Sequence, residues 1–262
     1  MLGANVHNMT KQFHDVEYME IKVLNKVFDL LEFAAEVSPR PLLPGEAAER
    51  CGMPRSTCVR LLKLLSEKGY LEQLSPRKGY TLGPAAALLN GGCYQQLAFH
   101  GERLLRSFAA ELKISVQLSL RQGNCRLILC GFNGDPGLNL DLRRIRRYDL
   151  QRALSGRVLL SHAPEAEQRR IIESWGEDRG VFADVSDGEI LAQLRELSRQ
   201  SLLCCEHHGK YAAVVPLRVQ GRVAAAAGAV WRPDRMPHAQ EITGRLKNTV
   251  ELIEGYINVE SF

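Results

Sequence analysis

One segment, from Leu43 to Gly83, constrains the fold of this chain more than any other part of the sequence. It opens with a short helical pattern from Pro44 to Arg50, which breaks at the turn residues Cys51 to Pro54. Two helices joined by a short turn that contains glycine predict a helix-turn-helix, whose second helix is the one that enters a DNA major groove. That second helix begins at Arg55, and its apolar positions predict a buried stripe of Val59, Leu61, Leu62, Leu64 and Leu65.

A short hairpin with a basic tip follows the second helix. Tyr70 to Glu72 and Tyr80 to Leu82 are β-like runs, and Pro76 to Gly79 lies between them. We expect this hairpin to form a wing beside the two helices. Arg77 and Lys78 at its tip are suited to phosphate or minor-groove contacts, which add affinity without selecting a sequence.

The second helix carries the residues that we expect to contact DNA. Ser56 is predicted to cap the helix and to offer its hydroxyl to a phosphate at the positive helix end. Arg60 is the first candidate for contacting bases or an adjacent phosphate, because arginine can bind guanine O6 and N7 together. Arg55 and Thr57 are second candidates, and Lys63 lies farther along the same side. The alternative is a set of solvated charges on a helical bundle, and the order of the motifs argues against it.

The composition is that of an ordinary globular protein, with 45% hydrophobic and 24% charged residues among 262. This length favours two domains, because a helix-turn-helix module needs only about 60–80 residues. The net charge of +4 is mildly basic, so the placement of the charges has to support the DNA hypothesis. The 7 cysteines are scattered without CxxC spacing, which favours reduced thiols in a cytoplasmic protein.

The sequence also argues against export and membrane insertion. The first 20 residues contain acidic side chains and no apolar run, unlike a signal peptide. The longest apolar runs, such as Val223 to Trp231, are about half of the ~20 residues that a membrane span needs. We therefore expect a soluble cytoplasmic protein.

The second half of the chain mixes helical and strand patterns. His100 to Lys113 is predicted as an amphipathic helix, and from Ile114 the period changes to that of a β-hairpin. Ser186 and Glu189 form a capping-box pattern at the start of a later helix. These and the remaining patterns predict an α+β domain with a central antiparallel sheet. The remaining elements are helices near 153–162, 164–175 and 238–258 and strands near 211–219 and 222–231.

The run from Met53 to Gln73 (MPRSTCVRLLKLLSEKGYLEQ), followed by GYTLG, resembles the DNA-binding domain of the IclR family of bacterial transcription regulators. Weaker similarities cover Asp149 to Ser161, Gly209 to Pro216 and Gly221 to Ala226. The resemblance implies a winged helix-turn-helix domain, a linker helix and a GAF-like effector-binding domain. It also implies homodimers or tetramers that bind palindromic operators and respond to small organic acids. No cofactor is implied.

The resemblance and the patterns together predict four regions. Residues 1–19 are expected to form a flexible tail and residues 20–83 the DNA-binding domain. Residues 84–98 are expected to form the linker helix, with a boundary near Gly91-Gly92, and residues 99–262 the effector-binding domain.

The chain departs from the family pattern where the effector would bind. Cys204-Cys205, Ala212 and the strand end at Trp231 replace typical family residues, so the usual effectors cannot be assumed. Trp231 could stack on an aromatic ligand, although filling the pocket is the favoured interpretation. The Arg143–Arg147 cluster could bind an anion, although a solvated loop or an oligomer contact is favoured. The expected pocket residues are Leu129, Gly131, Ala153, Ser155, Gly156, Ala213, Ala229 and Trp231.

An alternative hypothesis centres on the segment Cys204 to His208, whose side chains are all possible metal ligands. On a strand, Cys204, Glu206 and His208 would share one face and could contribute to a metal or thiol sensor. The favoured interpretation is a strand end with two small cysteines and two surface histidines. An enzyme is not expected, because the chain lacks the GxxxxGK[ST], HExxH, GxSxG and GxGxxG motifs.

Overall fold

The computed structural model describes residues 22–75, 78–89, 93–138, 142, 147–207 and 209–259. The chain divides into two compact units, Met1–Gly91 and Gly92–Phe262, called here the N-terminal and C-terminal units. Among the described residues no helix is both long enough and apolar enough to cross a membrane.

The N-terminal unit contains four helices among its described residues and a two-stranded antiparallel sheet. Helix α1 covers residues 22–37, and α2 (Pro44–Arg50) and α3 (Arg55–Glu67) follow it. Strands β1 (Leu71–Ser75) and β2 (Gly79–Leu82) form the hairpin, and the short α4 spans Pro84–Leu88. The turn between α2 and α3 depends on Gly52, whose φ of 58° is a left-handed conformation that glycine adopts without strain. Side chains of α1, α2, α3 and the hairpin share one core.

Helix α3 buries a different stripe from the one that its leucines suggest. Cys58, Leu61, Leu62 and Leu65 point into the core, at spacings of three and four residues. Val59 and Leu64, which were predicted to be buried, are 40% and 44% exposed. The sequence prediction was wrong at these two positions because it followed hydrophobicity and overlooked Cys58, which completes the helical period.

The C-terminal unit is built around a six-stranded antiparallel sheet with the strand order β5-β4-β3-β8-β7-β6. Helices α5 (Cys93–Leu112) and α9 (Ala239–Val259) cover one face, and α6 (Leu154–Ser161) covers the other. Helices α7 (Glu165–Ser174) and α8 (Asp187–Ser198) pack with α6 around a smaller core. The strands are β3 (Ser115–Gln122), β4 (Cys125–Asn133), β5 (Arg147–Asp149), β6 (Leu203–His207), β7 (Lys210–Val219) and β8 (Arg222–Trp231).

Two local predictions can be compared directly with this unit. The capping box is confirmed, since Ser186 and Glu189 exchange hydrogen bonds at the start of α8. Helix α5 begins at Cys93 and not at His100, so its first two turns occupy part of the segment predicted as a linker helix. The expected boundary at Gly91-Gly92 lies outside the described residues.

Candidate nucleic-acid interface and ligand cavity

The start of α3 differs from its prediction in one respect. Pro54 occupies the N-cap position, and no side chain caps the helix. Ser56 is therefore the second residue of the helix and not its cap, because the Pro54 carbonyl already accepts the first helical hydrogen bond, from the Cys58 N–H. Its side chain is exposed and its hydroxyl is available to a ligand at the helix N-terminus.

The exposed face of α3 presents a stripe of four side chains. Ser56, Val59, Arg60 and Lys63 follow spacings of three and four residues, opposite to the buried stripe, and all are exposed. Arg60 forms no hydrogen bond or ion pair with any described residue, whereas Lys63 Nζ lies 3.8 Å from Glu67 Oε1. The stripe is thus a polar, positively charged surface with one apolar member.

Two further candidates flank this stripe at the first turn of α3. Arg55 is exposed and Thr57 is half-buried, so both lie at the margins of the exposed face. Their positions allow contact with a phosphate backbone beside a groove more readily than with bases in its floor.

Backbone hydrogen bonds hold strand β2 of the hairpin against the segment before α2. Leu42 and Tyr80 exchange two hydrogen bonds of 2.7 and 2.9 Å, which attach the strand to the segment before α2. A Cβ at Gly79 would lie 2.4 Å from the carbonyl oxygen of Leu42, so only glycine fits there. Lys78 is exposed next to it, and Arg77 lies outside the described residues.

The C-terminal unit contains a cavity of about 320 Å³ between the sheet and the segment that leads into α6. Small side chains on the central strands, including Ala212 and Gly228, leave this space open. Leu142 and Val181 contribute to its apolar lining, and Cys205 contributes a thiol. A volume near the lower end of the ~300–1,000 Å³ range of ligand sites suits one small molecule.

The cavity is lined by four basic side chains and by no carboxylate among the described lining residues: Arg126, Arg152, Arg157 and Lys210. Arg126 is only 6% exposed, and its Nη1 donates to Ser119 Oγ at 3.1 Å and Gln117 Oε1 at 3.3 Å. Arg152 is exposed, and its Nη2 lies 2.6 Å from Asp178 Oδ1 in an ion pair. The excess of positive charge around the cavity favours an anionic occupant.

Arg157 lies on α6 and reaches the thiol of Cys205. Burial lowers the pKa of the Arg157 guanidinium, while its contact with Cys205 acts in the opposite direction. Its Nε is buried without a hydrogen-bond partner among the described residues. A buried donor of this kind is costly unless a partner satisfies it.

Four of the predicted pocket residues line the cavity: Ala153, Ser155, Ala213 and Ala229. Ser155 Oγ accepts a hydrogen bond of 3.4 Å from Gln117 Nε2 at the sheet surface. The methyl groups of Ala213 and Ala229 belong to the core on the other face of the sheet, because side chains alternate along a strand.

The other four predicted pocket residues are not among those that line the cavity: Leu129, Gly131, Gly156 and Trp231. Gly156 is required by packing, since a Cβ there would lie 2.3 Å from the carbonyl oxygen of Leu150. Gly131 lies beneath Leu142, whose side chain would meet an added Cβ at 3.0 Å. Leu129 sits at the irregularity between β3 and β4 and packs on the core below α5 and α9.

Trp231 is 2% exposed and stacks on Tyr211, with ring centroids 6.2 Å apart. Alternation along β8 turns its indole away from the cavity that Val230 lines. Trp231 therefore cannot stack on a ligand in this cavity without a change of register.

Sequence reasoning did not identify Gln117, Arg126 or Arg157 as cavity residues. The sequence predicts only a β-hairpin from Ile114 onward, where Gln117 and Arg126 lie, and a helix near 153–162, where Arg157 lies. Their one signal was polarity at positions flanked by apolar residues in predicted core elements. That pattern does not tell a solvent face from the wall of a cavity.

The segment around Cys204 forms the edge strand β6. Cys204 and Glu206 point to one face and Cys205 to the other, as the alternation predicts, and His208 lies outside the described residues. The part of the chain that the structure describes contains no cluster of three metal-ligating side chains. Residues 143–146 of the Arg143–Arg147 cluster also lie outside the described residues.

Comparison with known proteins connects these features to a family. The IclR helix-turn-helix domain matches residues 23–75 of this chain. The regulator TtgV of Pseudomonas putida is 29% identical over 127 residues, which are 48% of this chain and 49% of that protein. The regulator Rv1719 of Mycobacterium tuberculosis is 25% identical over 166 residues, 63% of this chain and 64% of that protein. The matches thus span about half and just under two thirds of these curated relatives.

Solved structures share the fold over almost the whole chain. An IclR homologue from Microbacterium hydrocarbonoxydans, complexed with 4-hydroxybenzoate, has a TM-score of 0.69 and 20% identity, covering 90% of this chain and 99% of that one. The IclR protein of Thermotoga maritima has a TM-score of 0.60 and 18% identity, covering 91% and 99%. The predicted fold class, an N-terminal winged helix-turn-helix followed by an α+β domain with an antiparallel sheet, is confirmed. Residues 23–75 thus match the IclR helix-turn-helix domain, and the chain shares its overall fold with solved IclR homologues.

Proposed function

We propose that this chain is a sequence-specific DNA-binding transcription regulator whose affinity for its operator is controlled by a small organic anion. The observation that supports it most is the exposed stripe of Ser56, Val59, Arg60 and Lys63 on the second helix of an IclR helix-turn-helix domain. The two named relatives are themselves described as transcriptional regulators. We propose no catalytic reaction for the chain, and we place its action in the cytoplasm.

Each member of the stripe suits a different contact in a major groove. Arg60 projects a guanidinium with no competing partner among the described residues, so it can bind a guanine edge in bidentate fashion. Val59 offers an apolar surface of the kind that contacts a thymine methyl group. Ser56 and Lys63, toward the two ends of the stripe, suit the flanking phosphates. The sequence pattern predicts Val59 as a core residue and therefore does not identify it as a contact candidate.

The remaining candidates contribute affinity. Arg55 and Thr57 flank the stripe, and Arg77 with Lys78 at the wing adds charge that a phosphate backbone attracts regardless of sequence. We propose that the chain acts as a homo-oligomer, in which two copies bind the half-sites of a pseudo-palindrome one helical turn or a multiple apart.

The cavity supports an anionic effector. Arg126 and Arg157 are held inside it by the sheet and by α6, and an arginine fork matches a carboxylate. Ala212, Gly228 and Val230 provide a flat apolar surface beside these charges. A small carboxylic acid with one ring or a short chain fits both the charge and the volume. The homologue from Microbacterium hydrocarbonoxydans was solved with such a compound, 4-hydroxybenzoate.

Control of DNA binding requires that the effector bind two conformations of the protein with different affinities. We propose that the occupied and empty cavities favour different arrangements of the paired DNA-binding domains. Such an effector changes operator affinity by the same factor by which the operator changes effector affinity.

Fluorescence anisotropy with the promoter DNA flanking the gene, in the presence of a nonspecific competitor, tests the DNA part. We expect selective binding, and we expect Arg60→Ala to reduce specific affinity by about 1–3 kcal/mol, because a base contact is lost. Arg199→Ala, an exposed arginine at the end of α8, is the control for the loss of one charge. Equal affinity for operator and random DNA, with and without candidate acids, would contradict the proposal.

A further inference from the structure

A second cavity of about 380 Å³ lies on the other face of the six-stranded sheet, near the β6 edge. Its walls include Cys204 and Glu206 of the edge strand and Gln240 and Thr243 in the first turns of α9. Tyr211 and Trp231 form its aromatic part. A cavity of ~150 Å³ is enough to hold benzene, so this one has room for a substituted ring.

Strand register explains the geometry of this cavity. Glu206 lies directly opposite Tyr211, and Tyr211 lies directly opposite Trp231, so the three side chains form one row across β6, β7 and β8. The Tyr211 and Trp231 rings are inclined by only 20°. In the next row, Ala213 and Ala229 have small side chains. Helix α9 packs mainly on β7 and β8 and not on the edge strand β6. Space remains between the start of α9 and the edge strand.

The electrostatics of this second cavity differ from those of the first. Glu206 is its one charged lining group among the described residues, and its Oε1 accepts a hydrogen bond of 3.2 Å from the Gly209 N–H. The pKa of the Cys204 thiol is raised by burial and by Cys205, while nearby Lys247 acts to lower it. A carboxylate ligand would be repelled by Glu206, so an uncharged ligand is favoured over an anionic one.

Two side chains in this cavity, Trp231 and Glu206, have hydrogen-bonding capacity that a polar aromatic molecule could satisfy. The Nε1 of Trp231 is buried without a hydrogen-bond acceptor among the described residues. The carboxylate of Glu206 is exposed and has the capacity to accept hydrogen bonds in addition to that from Gly209. We propose that this cavity binds an uncharged hydroxylated aromatic molecule, whose ring packs on Tyr211 and Trp231 and whose hydroxyl donates to Glu206.

Tryptophan fluorescence gives a direct test, because the chain contains only 2 tryptophans. In a Trp175→Phe background the emission reports Trp231 alone, and 4-hydroxybenzamide is the probe. We expect a saturable change in emission with a dissociation constant in the millimolar range. Cys204→Phe should abolish it by filling the space between β6 and α9, whereas the matched Cys204→Ser should retain it. Glu206→Gln should weaken binding about fivefold, the scale of an exposed charged contact.

Three results would overturn this second site. They are the absence of a saturable change up to roughly 10 mM probe, a change that survives in Cys204→Phe, and equal affinity for 4-hydroxybenzamide and 4-hydroxybenzoate. Circular dichroism and thermal unfolding of Cys204→Phe separate loss of the site from loss of the fold. The proposal does not depend on DNA binding, so the two fail independently.

Discussion

The two units of this chain place their candidate functional residues in different ways. In the N-terminal unit, four candidate DNA-contact residues lie within eight positions of one helix and are exposed to solvent. In the C-terminal unit, the basic side chains of the cavity come from three regions of the sequence: β4, the segment that leads into and includes α6, and β7. A surface on one helix tolerates changes in the core beneath it, whereas a cavity exists only if several elements pack correctly.

The largest expected effect separates the two faces of α3. Leu62→Ala removes a fully buried side chain and should lower the free energy of unfolding by about 2–5 kcal/mol. Leu64→Ala, the matched change on the exposed face, should lower it by less than about 1 kcal/mol. Urea unfolding followed by circular dichroism measures both. Equal losses would contradict the observed burial of this helix.

In the C-terminal unit, Gly156→Ala tests how closely α6 approaches the chain before it. The added Cβ would lie 2.3 Å from Leu150 O, so the helix must shift and stability should fall by about 1–3 kcal/mol. Gly188→Ala in α8 is the control, because nothing lies within 4 Å of its added Cβ. Thermal unfolding should show a lower midpoint for Gly156→Ala only. Since α6 forms one wall of the cavity, its ligand affinity should fall as well.

Removal of the buried charge tests the cavity without touching the DNA surface. Arg126→Gln should weaken binding of an anionic effector by about 1.5–3 kcal/mol, because a charge-assisted contact from a buried side chain is lost. Arg152→Gln should have a smaller effect, since this exposed arginine already pairs with Asp178. Calorimetric titration with an acid that shifts operator binding gives both values. A larger loss of binding free energy for Arg152→Gln than for Arg126→Gln would indicate that the anion binds at the rim of the cavity.

The smallest expected effect concerns pH. Burial acts to raise the pKa of Asp135, but hydrogen bonds from Arg232 and the Gly137 N–H, with the Arg232 charge, hold it below its usual value. A lowered pKa in the folded state contributes stability above the unfolded pKa, and that stability is lost as pH falls through the folded value. Between about pH 6 and pH 3, the wild type should therefore lose more stability than Asp135→Asn.

The Arg40–Glu46 pair of the N-terminal unit is the comparison for this pH effect. The Arg40 guanidinium lowers the pKa of Glu46, but the pair is exposed to solvent. Exposed pairs contribute little, so Glu46→Gln should leave the acid dependence of unfolding almost unchanged. Unfolding curves at several pH values distinguish the two carboxylates.

The two units also differ in how much of their site the sequence could predict. The helix-turn-helix spacing, the hairpin and the exposed charges of Arg60 and Lys63 are local patterns within one short segment, so periodicity finds them. Even there, Val59 was assigned to the wrong face, because a helix core accepts Cys58 as readily as an aliphatic residue. In the cavity, Ala153 and Ser155 were found, but Arg126, Arg157 and Gln117 were not.

The sequence by itself determined the order of the elements, the helix-turn-helix, the capping box at Ser186 and the alternation that puts Cys204 and Cys205 on opposite faces. Only the tertiary structure decided that Trp231 turns away from the first cavity, that Gly156 serves packing, and that arginines from distant elements meet. The physical reason is that periodicity depends on neighbours three or four residues away, whereas a cavity depends on which strands pair and in which register.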